Sequence, residues 1–130
     1  MHTLIVEDDF TSRLVLQRFL SKYGECDVAV SGKEALTAFR AAREQRKYYD
    51  LICMDIMMPE MDGHTAVREI RALEQADGTA STQGAKIVMT TALDDMKNVA
   101  QSFKSLCDAY LVKPIDTAKL LGHMREFHLI

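Results

Sequence analysis

At 130 residues, 48% of them hydrophobic and 27% charged, the chain has the length and composition of one globular domain, because a split would leave two marginal cores. Lys and Arg number 16 against 19 Asp and Glu, a formal net charge of -3, which excludes the basic excess that drives sequence-independent nucleic-acid binding and makes DNA a poor direct partner. No apolar run approaches the roughly 18 residues of a membrane span, and the N-terminus lacks a charged-then-apolar leader, so no membrane insertion and a cytoplasmic location are expected.

The first apolar run, Thr3–Val6, reads as a strand. Behind it Phe10, Leu14, Leu20 and Tyr23 recur at helical spacing, with Leu16 and Phe19 widening the stripe. A second strand at Asp27–Val30 precedes a second helical stripe of Ala35, Leu36, Phe39 and Ala42. Leu51–Met54 is the third strand, and Ala66, Val67, Ile70 and Leu73 mark the third helix. The turn-rich segment Gln75–Ala85 is too short and polar for a domain boundary and is expected to be a surface loop.

Lys86–Thr91 is the fourth strand, followed by a fourth helix marked by Met96, Val99, Ala100 and Phe103 and capped by Asp94 or Asp95. Ala109–Val112 is the fifth strand, and a fifth helix, capped by Asp116, carries Leu120, Leu121, Met124 and Phe127. Most of these strands are continuously apolar, as strands covered on both faces of a parallel sheet must be. Strict strand-helix alternation implies right-handed crossovers and an open, doubly wound α/β sheet, for which strand order 2-1-3-4-5 is chosen. Such a sheet opens a crevice at the carboxyl ends of strands one and three, where its winding reverses.

Four features fall at carboxyl ends of strands. Strand one ends in Glu7-Asp8-Asp9 and strand three in Asp55, which gathers carboxylates at the crevice. A hard cation with oxygen ligands, Mg²⁺, would let all of them stay ionised; the plainer alternative has the acids cap helix one and face solvent. Strand four ends in Thr90-Thr91-Ala92, where a hydroxyl can bond a phosphoryl oxygen or a β-branched residue can merely favour the strand. Strand five ends in Lys113-Pro114, which brings a cation able to pair with Asp55 or to sit solvated; Pro114 is compatible with either peptide isomer. The odd set Cys26, Cys53 and Cys107, without CxxC spacing, argues against a disulfide framework. His2, His64, His123 and His128 show no ligand spacing and are expected at the surface.

With Val6-Glu7-Asp8, Met54-Asp55-Ile56-Met57-Met58-Pro59-Glu60-Met61-Asp62-Gly63, Thr91-Ala92 and Tyr110-Leu111-Val112-Lys113-Pro114, the chain resembles the receiver domain of two-component response regulators from Thr3 to about Phe127. The resemblance implies a flavodoxin-like fold, a single domain over residues 1–130 without an output domain, and Asp55 as phosphoacceptor from a phosphohistidine of a histidine kinase or phosphotransfer protein. It implies Mg²⁺ held by Asp8, Asp55, the Met57 carbonyl and Glu7 through water, and a phosphoryl group held by Lys113, Thr91 and the Ala92 amide. Arg13, five positions after Asp8, sets the register of the acid pair on Glu7 and Asp8 and leaves Asp9 to cap helix one. Thr91, followed by a small residue, is the implied switch hydroxyl, and Tyr110 the rotating aromatic. Helix four, strand five and helix five would then form the surface read by a downstream effector protein.

Two alternatives stand beside this one. A haloacid dehalogenase-like phosphatase also uses an aspartyl phosphate with Mg²⁺, but it wants an acid two residues after the nucleophile, where this chain has Met57. A receiver-fold scaffold that is never phosphorylated would have no need of Glu7, Asp8, Asp55, Thr91 and Lys113 together. The expectation is therefore a switch with no external turnover beyond formation and loss of its own acylphosphate. Asp62 and Gly63 are expected to shape the turn into helix three, glycine through its conformational tolerance.

Overall fold

The computed structural model describes residues 1–79, 83–92 and 106–130. Their elements run β1 (His2–Val6), α1 (Phe10–Leu20), β2 (Glu25–Ala29), α2 (Gly32–Glu44), β3 (Leu51–Asp55), α3 (Gly63–Ala76), β4 (Lys86–Thr91), β5 (Ala109–Val112) and α4 (Thr117–Glu126). All the strand pairings are parallel and give the order β2-β1-β3-β4-β5, as the alternation of elements implies. Four helices are described where five are expected: the helix placed around Met96 to Phe103, with its Asp94 or Asp95 cap, lies outside the described residues. The last helix, α4, is accordingly the fifth of the sequence reading.

Successive strand residues point to opposite faces, so each strand feeds two cores. Leu4, Val6, Ile52, Met54, Ile87 and Met89 pack with Phe39 of α2 and Ile70 of α3. Ile5, Leu51, Cys53, Val88 and Leu111 pack with Leu16 and Leu20 of α1 and with Leu120 and Met124 of α4. Helices thus cover both faces, which explains why β3 is buried along its whole length. The edge strand β2 is the exception: it pairs only with β1, starts two residues before the expected Asp27, and exposes Val28.

Phe10 leaves the expected helical stripe. It opens α1 at 66% exposure and stacks under the Arg13 guanidinium, 5.6 Å from the ring centre, whereas Leu16 and Leu20 do the burying. The helices start where short acceptors stand: Asp9, Ser31, Asp62 and Asp116 each take a first-turn amide, from Ser12, Glu34, Thr65 and Ala118 at 2.8, 3.2, 2.9 and 2.9 Å. Gly63 has a different reason from the expected one. Its φ is not positive, but a Cβ there would meet the Asp55 carbonyl oxygen at 2.3 Å. The absence of a side chain is what lets α3 begin hard against the end of β3, beside Asp55. The three cysteines are unpaired, and Cys53 lies buried in the sheet. His2, expected at the surface, is instead partly buried and fully bonded.

Candidate functional site

Register brings the chemistry-bearing residues to one edge. Val6 pairs with Met54, so Glu7 and Asp8 leave β1 beside Asp55 at the end of β3. Asp55 pairs with Thr90, and Thr91 with Val112, so Lys113 leaves β5 at the same level. The Lys113 amide donates to the Thr91 carbonyl at 2.8 Å, and the Lys113–Pro114 peptide is cis.

The Lys113 ammonium lies 3.2 Å from Asp55 Oδ1, 2.9 Å from Glu7 Oε2 and 3.0 Å from Glu7 Oε1. Both acids are almost wholly buried, with Glu7 at 0% and Asp55 at 2% exposure, while Asp8 stands exposed at the rim. One oxygen each from Glu7, Asp8 and Asp55 lies within 4.8 Å of the others. Arg13 donates to the Glu7 carbonyl at 3.0 Å and the Asp9 amide to Glu7 Oε1 at 3.2 Å, which fixes the turn out of β1. The Met57 amide donates to Asp55 Oδ1 at 3.3 Å; its side chain is exposed, whereas Met58 is buried in the core.

Burial, and then repulsion from Glu7, raise the Asp55 carboxyl to about 7 against the opposing pull of Lys113. For Lys113 the balance is reversed. Burial alone would lower it, but the hydrogen bonds and charges of Glu7 and Asp55 outweigh that and hold it above the ordinary lysine value. Three carboxylates and one ammonium leave a formal charge of -2 in a site whose charged ligands are all oxygen. That donor set suits a hard divalent cation that keeps several waters.

The two threonines part company. Strand alternation puts Thr91 on the face of Met89 and Tyr110, where its hydroxyl contacts the Ala92 carbonyl at 3.3 Å. Thr90 shares the face of Asp55 as its register partner, and its buried hydroxyl has no hydrogen-bond partner among the described residues. Only the register shows this, because two adjacent threonines are interchangeable until the strand's facing is known. Tyr110 is half-buried against the first core, and burial and Cys107 raise its hydroxyl above the usual tyrosine range. Ala92 is exposed at the mouth.

Comparison with known proteins gives one answer. Residues 3–125 match the model of the response regulator receiver domain. The probable transcriptional regulator ycf27 of Cyanophora paradoxa is 32% identical over 95% of this chain and 46% of its own length. The chain thus spans less than half of the length of that relative. The receiver domain of the histidine kinase CKI1 from Arabidopsis thaliana, solved with Mg²⁺ and BeF3⁻, is 33% identical, with a TM-score of 0.81 over 98% of this chain and 89% of that one. The receiver domain of Ssk1 from Saccharomyces cerevisiae, solved with the histidine phosphotransfer protein Ypd1, lies in a structure that matches at 28% identity and a TM-score of 0.79, over 98% of this chain and 88% of that one.

Proposed function

The chain belongs to the response regulator receiver family of two-component signalling, and from that we propose that it is a switch thrown by a phosphoryl group on Asp55. The observation that carries the reading is the buried Asp55 carboxylate held 3.2 Å from Lys113 inside the acidic notch. A carboxylate oxygen attacks the phosphorus of a phosphohistidine in line; the P–N bond breaks, and the imidazole leaves with the electron pair and takes up a proton. Glu7, Asp8, Asp55 and the Met57 carbonyl would hold Mg²⁺, which when bound supplies positive charge against the phosphoryl oxygens. The Mg²⁺ complex of the CKI1 receiver domain supports that assignment.

Lys113 pairs with one phosphoryl oxygen once Asp55 carries the group, and the Ala92 amide with another. Thr91 and Tyr110 share a face of the sheet, so an inward turn of Thr91 toward the phosphoryl group vacates space beside the aromatic ring. The output is read at β5, α4 and the chain between β4 and β5 by an effector protein. The donor is a histidine kinase or a phosphotransfer protein, as the Ypd1–Ssk1 complex suggests, and Phe10 and Met57, both exposed beside the notch, give it an apolar rim. No turnover of an external substrate is proposed. Among the described residues no helix is long and apolar enough to cross a membrane.

Incubation with acetyl phosphate and Mg²⁺, followed by intact-mass measurement, tests the reading. One phosphoryl adduct is expected on the native chain, and little without the metal. An adduct that forms equally well in a chelator would remove the proposed ligand set, and no adduct under any condition would remove the switch.

A further inference from the structure

We propose that His2, Glu25 and Asp27 form a second divalent-cation site at the amino edge of the sheet, suited to a borderline ion such as Zn²⁺. The strand register builds it. His2 pairs with Glu25 and Leu4 with Asp27, so the three side chains share one face of β1 and β2. One ligand atom from each lies within 4.8 Å of the others. They line a cleft of about 320 Å³, kept open on the α2 side by the small residues Ala38, Ala41 and Ala42. Five strand residues, about 15 Å, separate this cleft from the acidic notch at the other edge.

The imidazole is already oriented as a ligand. Its Nδ1 lies 3.0 Å from the Lys47 carbonyl, and the Tyr49 ring stacks on it at 4.3 Å between centres. A ligating histidine commonly donates its other N–H to a backbone carbonyl in this way, which fixes the tautomer and the ring plane. With that proton spent on Lys47, Nε2 turns its lone pair toward Asp27 Oδ2, 2.9 Å away. Two lone-pair atoms so close are held by a cation, either a proton or a metal ion. Two ligands of one tetrahedral ion, each at about 2.1 Å, lie about 3.4 Å apart, so the pair needs to open by only about 0.5 Å to admit a metal ion.

Glu25 separates the two by experiment, because a metal ion would use its exposed carboxylate as a third ligand and a proton shared by His2 and Asp27 would not. A neutral imidazole with two carboxylates carries a charge of -2, which a divalent ion cancels and one proton does not. Tyr49 completes the outer shell by donating its hydroxyl to Asp27 Oδ2 at 2.7 Å. The imidazole nitrogen disfavours Mg²⁺ and Ca²⁺, which want oxygen alone, and favours Zn²⁺ and its neighbours, with a fourth position left to water. An ion here would clamp the edge strand β2 to β1.

The test titrates Zn²⁺ into the native chain in excess Mg²⁺ while the His2 imidazole nitrogens are followed by NMR, with calorimetry for affinity. One equivalent is expected to shift Nε2, and Glu25→Gln, a change at an exposed position, should weaken Zn²⁺ binding at least tenfold without lowering the melting temperature of the Zn²⁺-free protein. His2→Ala should abolish binding at this edge. Unmoved His2 resonances, or native affinity in Glu25→Gln, would overturn the site and leave a proton alone between His2 and Asp27. Glu25→Gln should still take the phosphoryl adduct, so failure of this site and failure of the Asp55 switch are separately visible.

Discussion

Asp55→Asn is expected to stabilise the metal-free protein while it abolishes the phosphoryl adduct. The reason is the carboxylate's environment: burial and the Glu7 charge raise Asp55 to about 7 from an ordinary 3.8. Between those values the folded chain binds a proton that the unfolded chain does not, so stability falls as pH rises through the window and stays low above it. The full shift, in which the pull of Lys113 already counts, would amount to about 4 kcal/mol at 1.36 kcal/mol per pH unit, and burial of the amide in place of the neutral acid takes back part of it. A net gain of about 2 kcal/mol at pH 8 is expected, shrinking as pH falls from 7 toward 4. Chemical denaturation of both chains at several pH values measures it. A variant no more stable than the native chain at pH 8 would mean that Asp55 is not strained by its surroundings.

Lys113→Ala works in the opposite direction. Its removal leaves Glu7 and Asp55 buried at 0% and 2% exposure without their cation. Breaking a buried pair from one side costs about 3 kcal/mol, because the remaining charge has neither solvent nor partner. Lys113 is held above 10.5, so its contribution is fully present below that value and lost only as pH rises past the raised one. The deficit at pH 8 should shrink in acid, where the stranded carboxylates protonate, and also on addition of Mg²⁺. In the double variant with Asp55→Asn it should be smaller than the sum of the single effects, since the two residues touch. Lys113→Ala should still accept the phosphoryl group yet fail to bind its effector in response; normal effector binding would take the switching role away from Lys113.

Much of this site was legible in the chain because each part sits at a strand end, and strand ends are marked by where apolar runs stop. β4 and β5 fall at the expected residues, and β3 runs one residue further to include Asp55 itself. Asp9 caps α1 as the spacing of Glu7, Asp8 and Arg13 implies. What composition and periodicity miss is facing. Phe10 fits a helical stripe by spacing but opens the helix, where no core lies above it. Thr90 and Thr91 differ only in the parity of one strand, and that parity is set by pairing with β3. His2 looks like a solitary surface histidine until register lays it beside Glu25 and near Asp27, some 25 residues away in the chain. Gly63 reads as a turn glycine, although the constraint on it is the carbonyl of Asp55.

The central claim is that residues from three strands converge on one nucleophilic carboxylate. Borohydride reduction of the acetyl phosphate-treated protein, followed by peptide mass mapping, tests it most directly, since an aspartyl phosphate is reduced to homoserine at its own position. Homoserine at residue 55, and no reduced carboxylate elsewhere, is the predicted result; homoserine at Asp8, 5-hydroxynorvaline at Glu7, or neither where the intact mass shows an adduct, would contradict it.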